Sequence, residues 1–240
     1  MTIAGEILNY ASGRQSPFRR RDLMQALETN NVSEASAHVL LSRLVEQGRL
    51  VKQGHGLYAL PLGGKKEFVY ALSGEELHLT EQIKEKFPFA DFCIWKPSIL
   101  VPLMRHIPAM QMILVDVERT AMESVFHFLQ GIVTDVPILL NPNKQECERY
   151  ITTERIMIVR PLVNEAPLIK MNTTRVPTIE KILVDAAGDK ELNFAQGSEL
   201  YTIYENTFET YNVNKNRLLR YASRRNRKEM IKKILDSLNL

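Results

Sequence analysis

The sequence predicts an α+β protein: a winged helix-turn-helix over residues 1–62, then an α/β domain over residues 63–240 that ends in basic helices. Three observations predict this. Three short amphipathic segments precede a glycine-rich hairpin within the first 62 residues. Short apolar runs then alternate with helical patterns. Charge is segregated along the 240 residues: Lys/Arg outnumber Asp/Glu by 7 to 5 over residues 1–62, are outnumbered 15 to 21 over 63–210, and dominate 9 to 2 over 211–240.

In the first segment, Ile3, Ile7, Leu8 and Tyr10 form an apolar stripe that Ser12-Gly13 closes, predicting a first helix. A second runs from about Arg19 to Glu28 with Leu23, Met24 and Leu27 inward and Phe18 packing at its start. After the Asn30-Asn31 turn, Ser33 is a good N-cap for a third helix ending at Gly48, and Glu34 suits the positive end of its dipole. Arg49–Lys52 and Leu57–Leu60 read as strands joined by Gln53-Gly54-His55-Gly56.

The third helix has two distinct faces. At about 100° per residue, Ala37, Leu40, Leu41, Leu44 and Val45 cluster on one side and are assigned to the core. Ala35, Ser36, Val39, Ser42 and Arg43 occupy the other, small or polar groups around one long cation. A helix entering a major groove needs such a face, because bulky side chains would hold its backbone away from the bases. Together with Ser33 they are the candidate recognition residues. Val39 suits a thymine methyl or a second packing surface equally well, and Arg43 suits guanine or a phosphate. Arg14, Arg19, Arg20 and Arg21 are the candidate backbone contacts, and Lys52, Gln53 and His55 the candidate wing contacts. His55 reads equally as a polar turn residue.

Pro61–Lys66 reads as a linker. Beyond it Ser73 caps a helix from Glu75 to about Lys86; strands are predicted at Phe92–Trp95, Met112–Val117, Val136–Leu140 and Ile156–Arg160, and helices near Thr120–Gln130, Lys144–Ile151, Thr178–Ala187 and Glu199–Tyr211. After Asn212 a further helical stretch carries Arg217, Arg220, Arg224, Arg225, Arg227 and Lys228 opposite Leu218, Leu219, Tyr221, Ile231, Ile234 and Leu235. One strongly cationic face suits a phosphate backbone, so these six cations are candidate contacts too.

Few classes of chemistry fit. No run approaches the roughly 18 apolar residues of a membrane helix, and Glu6 and Asn9 interrupt what would be a signal peptide's apolar segment. Cys93 and Cys147 carry no CxxC or histidine-rich spacing, which fits a reducing cytoplasm and predicts small buried hydrophobes rather than a metal site. GxSxG, GxGxxG and GxxxxGK[ST] are absent. Asp116-Val-Glu118 follows an apolar strand as Mg²⁺-binding carboxylates of nucleases and nucleotidyltransferases do, yet no Gly-Ser loop precedes it and Thr120 stands where nucleases place a lysine. The expectation is a solvated strand end. His78, His106 and His127 are scattered and read as surface or internally bonded histidines. No catalytic residue, metal or cofactor is predicted.

On these residues the chain resembles the AbiEi-type antitoxins, the transcriptional-regulator half of type IV toxin-antitoxin and phage-defence modules. Phe18-Arg-Arg-Arg-Asp-Leu23, Ser33 through Leu44, Gly48-Arg-Leu-Val51 and Gly56-Leu-Tyr-Ala-Leu60 look like that family's winged helix. Val176-Pro-Thr-Ile-Glu-Lys-Ile-Leu-Val-Asp185 resembles its Pro-Thr-x-Glu-Lys-x-Leu-x-Asp signature, and Tyr201 through Arg225 the tail of a related bacterial family; Phe68 to Pro167 departs from the best-known members. The resemblance implies a non-enzymatic autorepressor that binds double-stranded DNA at inverted repeats in its own promoter, and an antitoxin opposing a nucleotidyltransferase-like toxin without a stable complex. The competing readings are a metal-dependent nuclease or nucleotidyltransferase guided by the winged helix, and a winged helix that binds protein instead of DNA.

Overall fold

The computed structural model describes residues 3–13, 17–27, 34–47, 49–54, 56–61, 65–109, 111–151, 155–171 and 174–240. The chain divides into two compact units, Met1–Lys66 and Glu67–Leu240.

The first unit contains α1 (Ile3–Ser12), β1 (Phe18–Arg19), α2 (Arg20–Leu27), α3 (Glu34–Glu46), β2 (Val51–Gly54) and β3 (Leu57–Ala59). Its core is built from Ile7, Leu8, Leu23, Leu27, Leu41, Leu44, Leu50 and the Phe18 and Tyr58 rings, stacked with centroids 6.1 Å apart. The expected hairpin is part of a three-stranded antiparallel sheet, β1-β3-β2. Phe18 does more than pack at the start of α2: it pairs with Tyr58 across β1 and β3, and Arg20 N–H donates to the Gly56 carbonyl. Gly56 adopts φ +68°, a conformation that a side chain would strain, so the turn depends on glycine there.

In the second unit a four-stranded sheet holds β4 (Phe92–Trp95), β5 (Gln111–Val117), β6 (Ile138–Leu140) and β7 (Arg155–Pro161) in the order β4-β5-β7-β6. β4 is antiparallel to β5, while β5, β7 and β6 run parallel. β4, β5 and β7 are buried on both faces, which is why they read as near-continuous apolar runs. One face, carrying Ile94, Ile113, Val115, Met157 and Val159, packs with residues of α4 (Gly74–Lys86) and α5 (Met122–Ile132). The other carries Trp95, Met112, Leu114, Ile156 and Ile158 into a core shared with α7 (Ile179–Ala186), α8 (Ser198–Thr210), α9 (Lys215–Arg224) and α10 (Lys228–Ser237). α6 (Lys144–Tyr150) lies between β6 and β7 in sequence. Ser73 caps α4 within a capping box completed by Glu76.

The sequence pattern did not announce the hairpin of β8 (Leu168–Met171) and β9 (Thr174–Pro177). Its strands are four residues each and β8 is largely exposed, so no apolar alternation marks it. Pro97–Leu103 and Lys190–Ala195 form 3₁₀ segments that were likewise not expected.

Candidate functional site

α3 presents its predicted faces. Ala37, Leu41 and Leu44 are buried and Leu40 and Val45 half-buried; Ala35, Ser36, Val39 and Arg43 are exposed and Ser42 half-buried. Val39 is 49% exposed, so its isopropyl group is not used by the unit's own core. Arg19 and Arg21 are exposed and Arg20 half-buried, and Lys52 and Gln53 are exposed on β2. Arg14, Ser33 and His55 lie outside the described residues.

The tail cations divide into two sets. Arg217 reaches Glu180 at 3.5 Å, Arg224 pairs with Glu165, Arg225 pairs with Asp189, and Arg227 lies 2.7 Å from Asp189 while donating to the Val184 carbonyl at 2.9 Å. Arg220 and Lys228 are exposed, with no acidic partner among the described residues. An acidic middle and a basic tail are thus partly each other's counter-ions.

A second concentration of charge was missed by sequence reasoning. β5 and β7 pair in register with Asp116 opposite Arg160, and both continue the inward alternation, Met112-Leu114-Asp116 beside Ile156-Ile158-Arg160. Asp116 is therefore no solvated strand end; it is 2% exposed, because the inward face of β5 remains covered at its last turn of pleat. Arg160 Nε donates to Asp116 Oδ1 at 2.5 Å, and its two terminal nitrogens reach Asp189 at 2.7 Å and Asp185 at 3.2 Å, with Glu191 at 3.5 Å. Lys181 Nζ bridges Asp116 at 2.5 Å and Asp185 at 2.8 Å. Trp95 Nε1 donates to Asp116 Oδ2 at 2.9 Å, and both cations stand near its indole ring. Tyr221 O–H donates to Asp185 Oδ1 at 3.0 Å.

Charges this deep persist only because they are paired. Burial pushes the Asp116 carboxyl up, but Arg160 and Lys181 overcome that and hold it well below the usual carboxylate range. Asp189 shifts the same way: burial opposes ionisation, and Arg160, Arg225 and Arg227 outweigh it. Burial disfavours the Lys181 ammonium, yet Asp116 and Asp185 raise its pKa. With its oxygens taken by Arg160, Lys181 and Trp95, Asp116 has no free face for a metal ion, and Glu118 instead accepts from Asp91 N–H at 3.3 Å. Among the described residues no group of His, Cys, Asp or Glu is arranged to hold a metal.

The Pro177–Asp185 signature supplies much of this network. Thr178 caps α7, accepting from Lys181 N–H. Glu180 accepts from Asn214 N–H at 2.8 Å at the start of α9, while Lys181 and Asp185, one turn apart, face Asp116 and Arg160. The signature residues fasten α7 to β5, β7 and α9. A cavity of about 250 Å³ opens beside them at the carboxyl ends of β5, β6 and β7. At its wall a Cβ on Gly188 would stand 2.9 Å from Arg227 Nε, so a larger residue there would have to displace that guanidinium. The sequence signal for this network was a charge embedded in apolar surroundings, Met112-Ile-Leu-Val-Asp116, Ile156-Met-Ile-Val-Arg160 and Lys181-Ile-Leu-Val-Asp185.

Among the other candidates, Cys93 and Cys147 are buried, and burial pushes the Cys147 thiol up to about 11. His78 and His127 are exposed, and His106 Nδ1 lies 2.5 Å from Glu199. No helix among the described residues is long and apolar enough to cross a membrane.

Comparison with known proteins places this geometry. A family model described as a family of unknown function (DUF6577) matches residues 36–240. The chain belongs to that family. A second model, described as transcriptional regulator, AbiEi antitoxin, matches residues 6–61, so the resemblance to AbiEi-type antitoxins is shown over the first unit. No curated protein matches the chain. This DUF6577 member therefore joins an AbiEi-type regulator segment to a second unit built around the Asp116–Arg160–Lys181 network.

Proposed function

We propose that this DUF6577 protein is a DNA-binding transcriptional autorepressor and an antitoxin opposing a nucleotidyltransferase-like toxin, acting without catalysis. The observation that carries DNA binding is the exposed face of α3, where Ala35, Ser36, Val39 and Arg43 leave a low surface with one long cation. The order of three helices and a three-stranded antiparallel sheet supports reading the first unit as a winged helix-turn-helix, with α3 as recognition helix and β2-β3 as wing. Ser33 belongs to the recognition set at the start of α3. Arg14, Arg19, Arg20 and Arg21 are proposed to meet sugar-phosphate, and Lys52, Gln53 and His55 the neighbouring groove. In the tail, Arg220 and Lys228 are the cations best disposed to add phosphate contacts, and Arg217, Arg224, Arg225 and Arg227 serve mainly as counter-ions to Glu180, Glu165 and Asp189.

Support for the antitoxin role comes from the AbiEi match over residues 6–61. Against the nuclease reading stands the pairing of Asp116 with two cations. The deciding measurement is fluorescence anisotropy with duplexes from the promoter of the protein's own operon and with shuffled duplexes, each over a salt series. Preference for the promoter by roughly 10³-fold or more, with a steep fall of log affinity against log salt, is the expected result. Equal, negligible affinity for both would overturn DNA binding and leave protein recognition as the role of the α3 face. Rescue of growth on co-expression with the neighbouring toxin tests antitoxicity separately.

A further inference from the structure

We propose that the cavity at the carboxyl ends of β5, β6 and β7 binds a small hydroxycarboxylate, a singly charged organic anion carrying hydroxyl donors. Open α/β sheets take their ligands in the crevice outside the carboxyl ends of parallel strands, and this cavity stands in that place. Its 250 Å³ offers room for on the order of eight waters, enough for a short-chain metabolite.

The lining selects the ligand's charge. Four carboxylates (Asp116, Asp185, Asp189 and Glu191) meet five cations, the fifth being Lys190, so the wall carries one net positive charge. Asp116, Asp185, Asp189, Arg160 and Lys181 are consumed by one another. Lys190 is not: it is half-buried with no acidic partner among the described residues. An incoming carboxylate supplies that cation's counter-ion.

The same wall offers acceptors for hydroxyl groups. Glu191 gives one oxygen to Arg160 at 3.5 Å and keeps the other without a donor among the described residues. At the rim, Asn141 follows β6 in the left-handed region (φ 40°), its N–H donating to the Val159 carbonyl and its side-chain amide unbonded among the described residues. Asp189 and Glu191 in the wall disfavour a second negative charge on the ligand, which separates this site from a phosphate site. A neutral polyol leaves the extra positive charge unmet.

The test uses the full chain and four probes, followed by calorimetry and thermal unfolding. D-glycerate has the charge and the hydroxyls, propionate the charge alone, glycerol the hydroxyls alone, and inorganic phosphate more charge. Glycerate is expected to raise Tm with concentration and to bind at least ~10-fold tighter than each of the others. Lys190→Ala, which breaks no internal ion pair, is expected to keep the unliganded Tm and to weaken glycerate at least ~5-fold. Equal effects of all four probes, no glycerate binding at about 10 mM, phosphate binding tighter than glycerate, or wild-type affinity in Lys190→Ala would each overturn the proposal. No DNA enters the experiment, so its outcome is separate from that of the DNA-binding reading.

Discussion

Lys181 Nζ lies 2.5 Å from Asp116 Oδ2, sixty-five positions away in the chain, and neither side chain is more than 3% exposed. This pair ties an α7 residue to the last turn of β5, and Arg160 closes the network from β7. Ion pairs so deep contribute less net stability than their short distances suggest, because both partners gave up hydration, but removing one partner strands the other.

Arg160→Met is accordingly expected to destabilise the second unit by about 3–5 kcal/mol, since Asp116, Asp185 and Asp189 lose their shared cation at once. Arg160→Lys should recover only part of that, because an ammonium cannot reproduce the guanidinium fork. Urea denaturation measures both; a wild-type midpoint for Arg160→Met would show that the network bears no stability.

The acid limb follows from the depressed pKa values of Asp116 and Asp189. A carboxyl whose folded pKa lies below its unfolded value of about 3.9 contributes stability that is complete above that value and lost as pH falls through the folded one. Stability of the second unit should therefore fall steeply below about pH 4. Lys181, with a raised pKa, contributes stability that is complete below its unfolded value near 10.4 and is lost only as pH rises beyond it. Thermal unfolding from pH 2 to 7 should show the acid loss, and Asp116→Asn should flatten it.

Leu44→Ala should cost the first unit about 2–5 kcal/mol, because Leu44 is 2% exposed in the core that holds Ile7, Leu23, Leu41 and Phe18. Circular dichroism on heating reads the loss. A wild-type melting curve would mean that α3 turns a different face inward.

Arg43→Ala is expected to weaken promoter binding by roughly 1–3 kcal/mol while leaving Tm unchanged, since the side chain is exposed on α3. Anisotropy against matched and mismatched duplexes separates a base contact from a phosphate contact.

In the tail, neutralising Arg220 and Lys228 together should flatten the slope of log affinity against log salt by about two units, weakening all sequences alike. Arg225→Gln should instead lower stability, as its guanidinium pairs with Asp189. A slope unchanged by the first pair would remove the tail from the DNA surface.

Much of the fold was legible along the chain, because the signals are local. Near-continuous apolar runs expose β4, β5 and β7, the Ser73 cap exposes α4 and a period-3.6 stripe α8, all at nearly their observed limits, since one or both faces of each must be covered. The two faces of α3 were legible for the same reason, and the sorting of candidate DNA contacts rests on it. The partners of charges were not. Nothing near Asp116 in sequence says that Arg160 stands opposite it, that Lys181 completes the pair, or that Arg225 and Arg227 of a basic tail turn inward to Asp189. Strand register and helix packing join residues dozens of positions apart, and whether a charge faces water or another charge is set by that juxtaposition alone. Composition and periodicity by themselves determined most of the segments that form helices and strands, the β8–β9 hairpin excepted, and which faces are apolar; only tertiary structure decided that the acidic middle and the basic tail neutralise one another in part, and that a polar cavity remains where they meet.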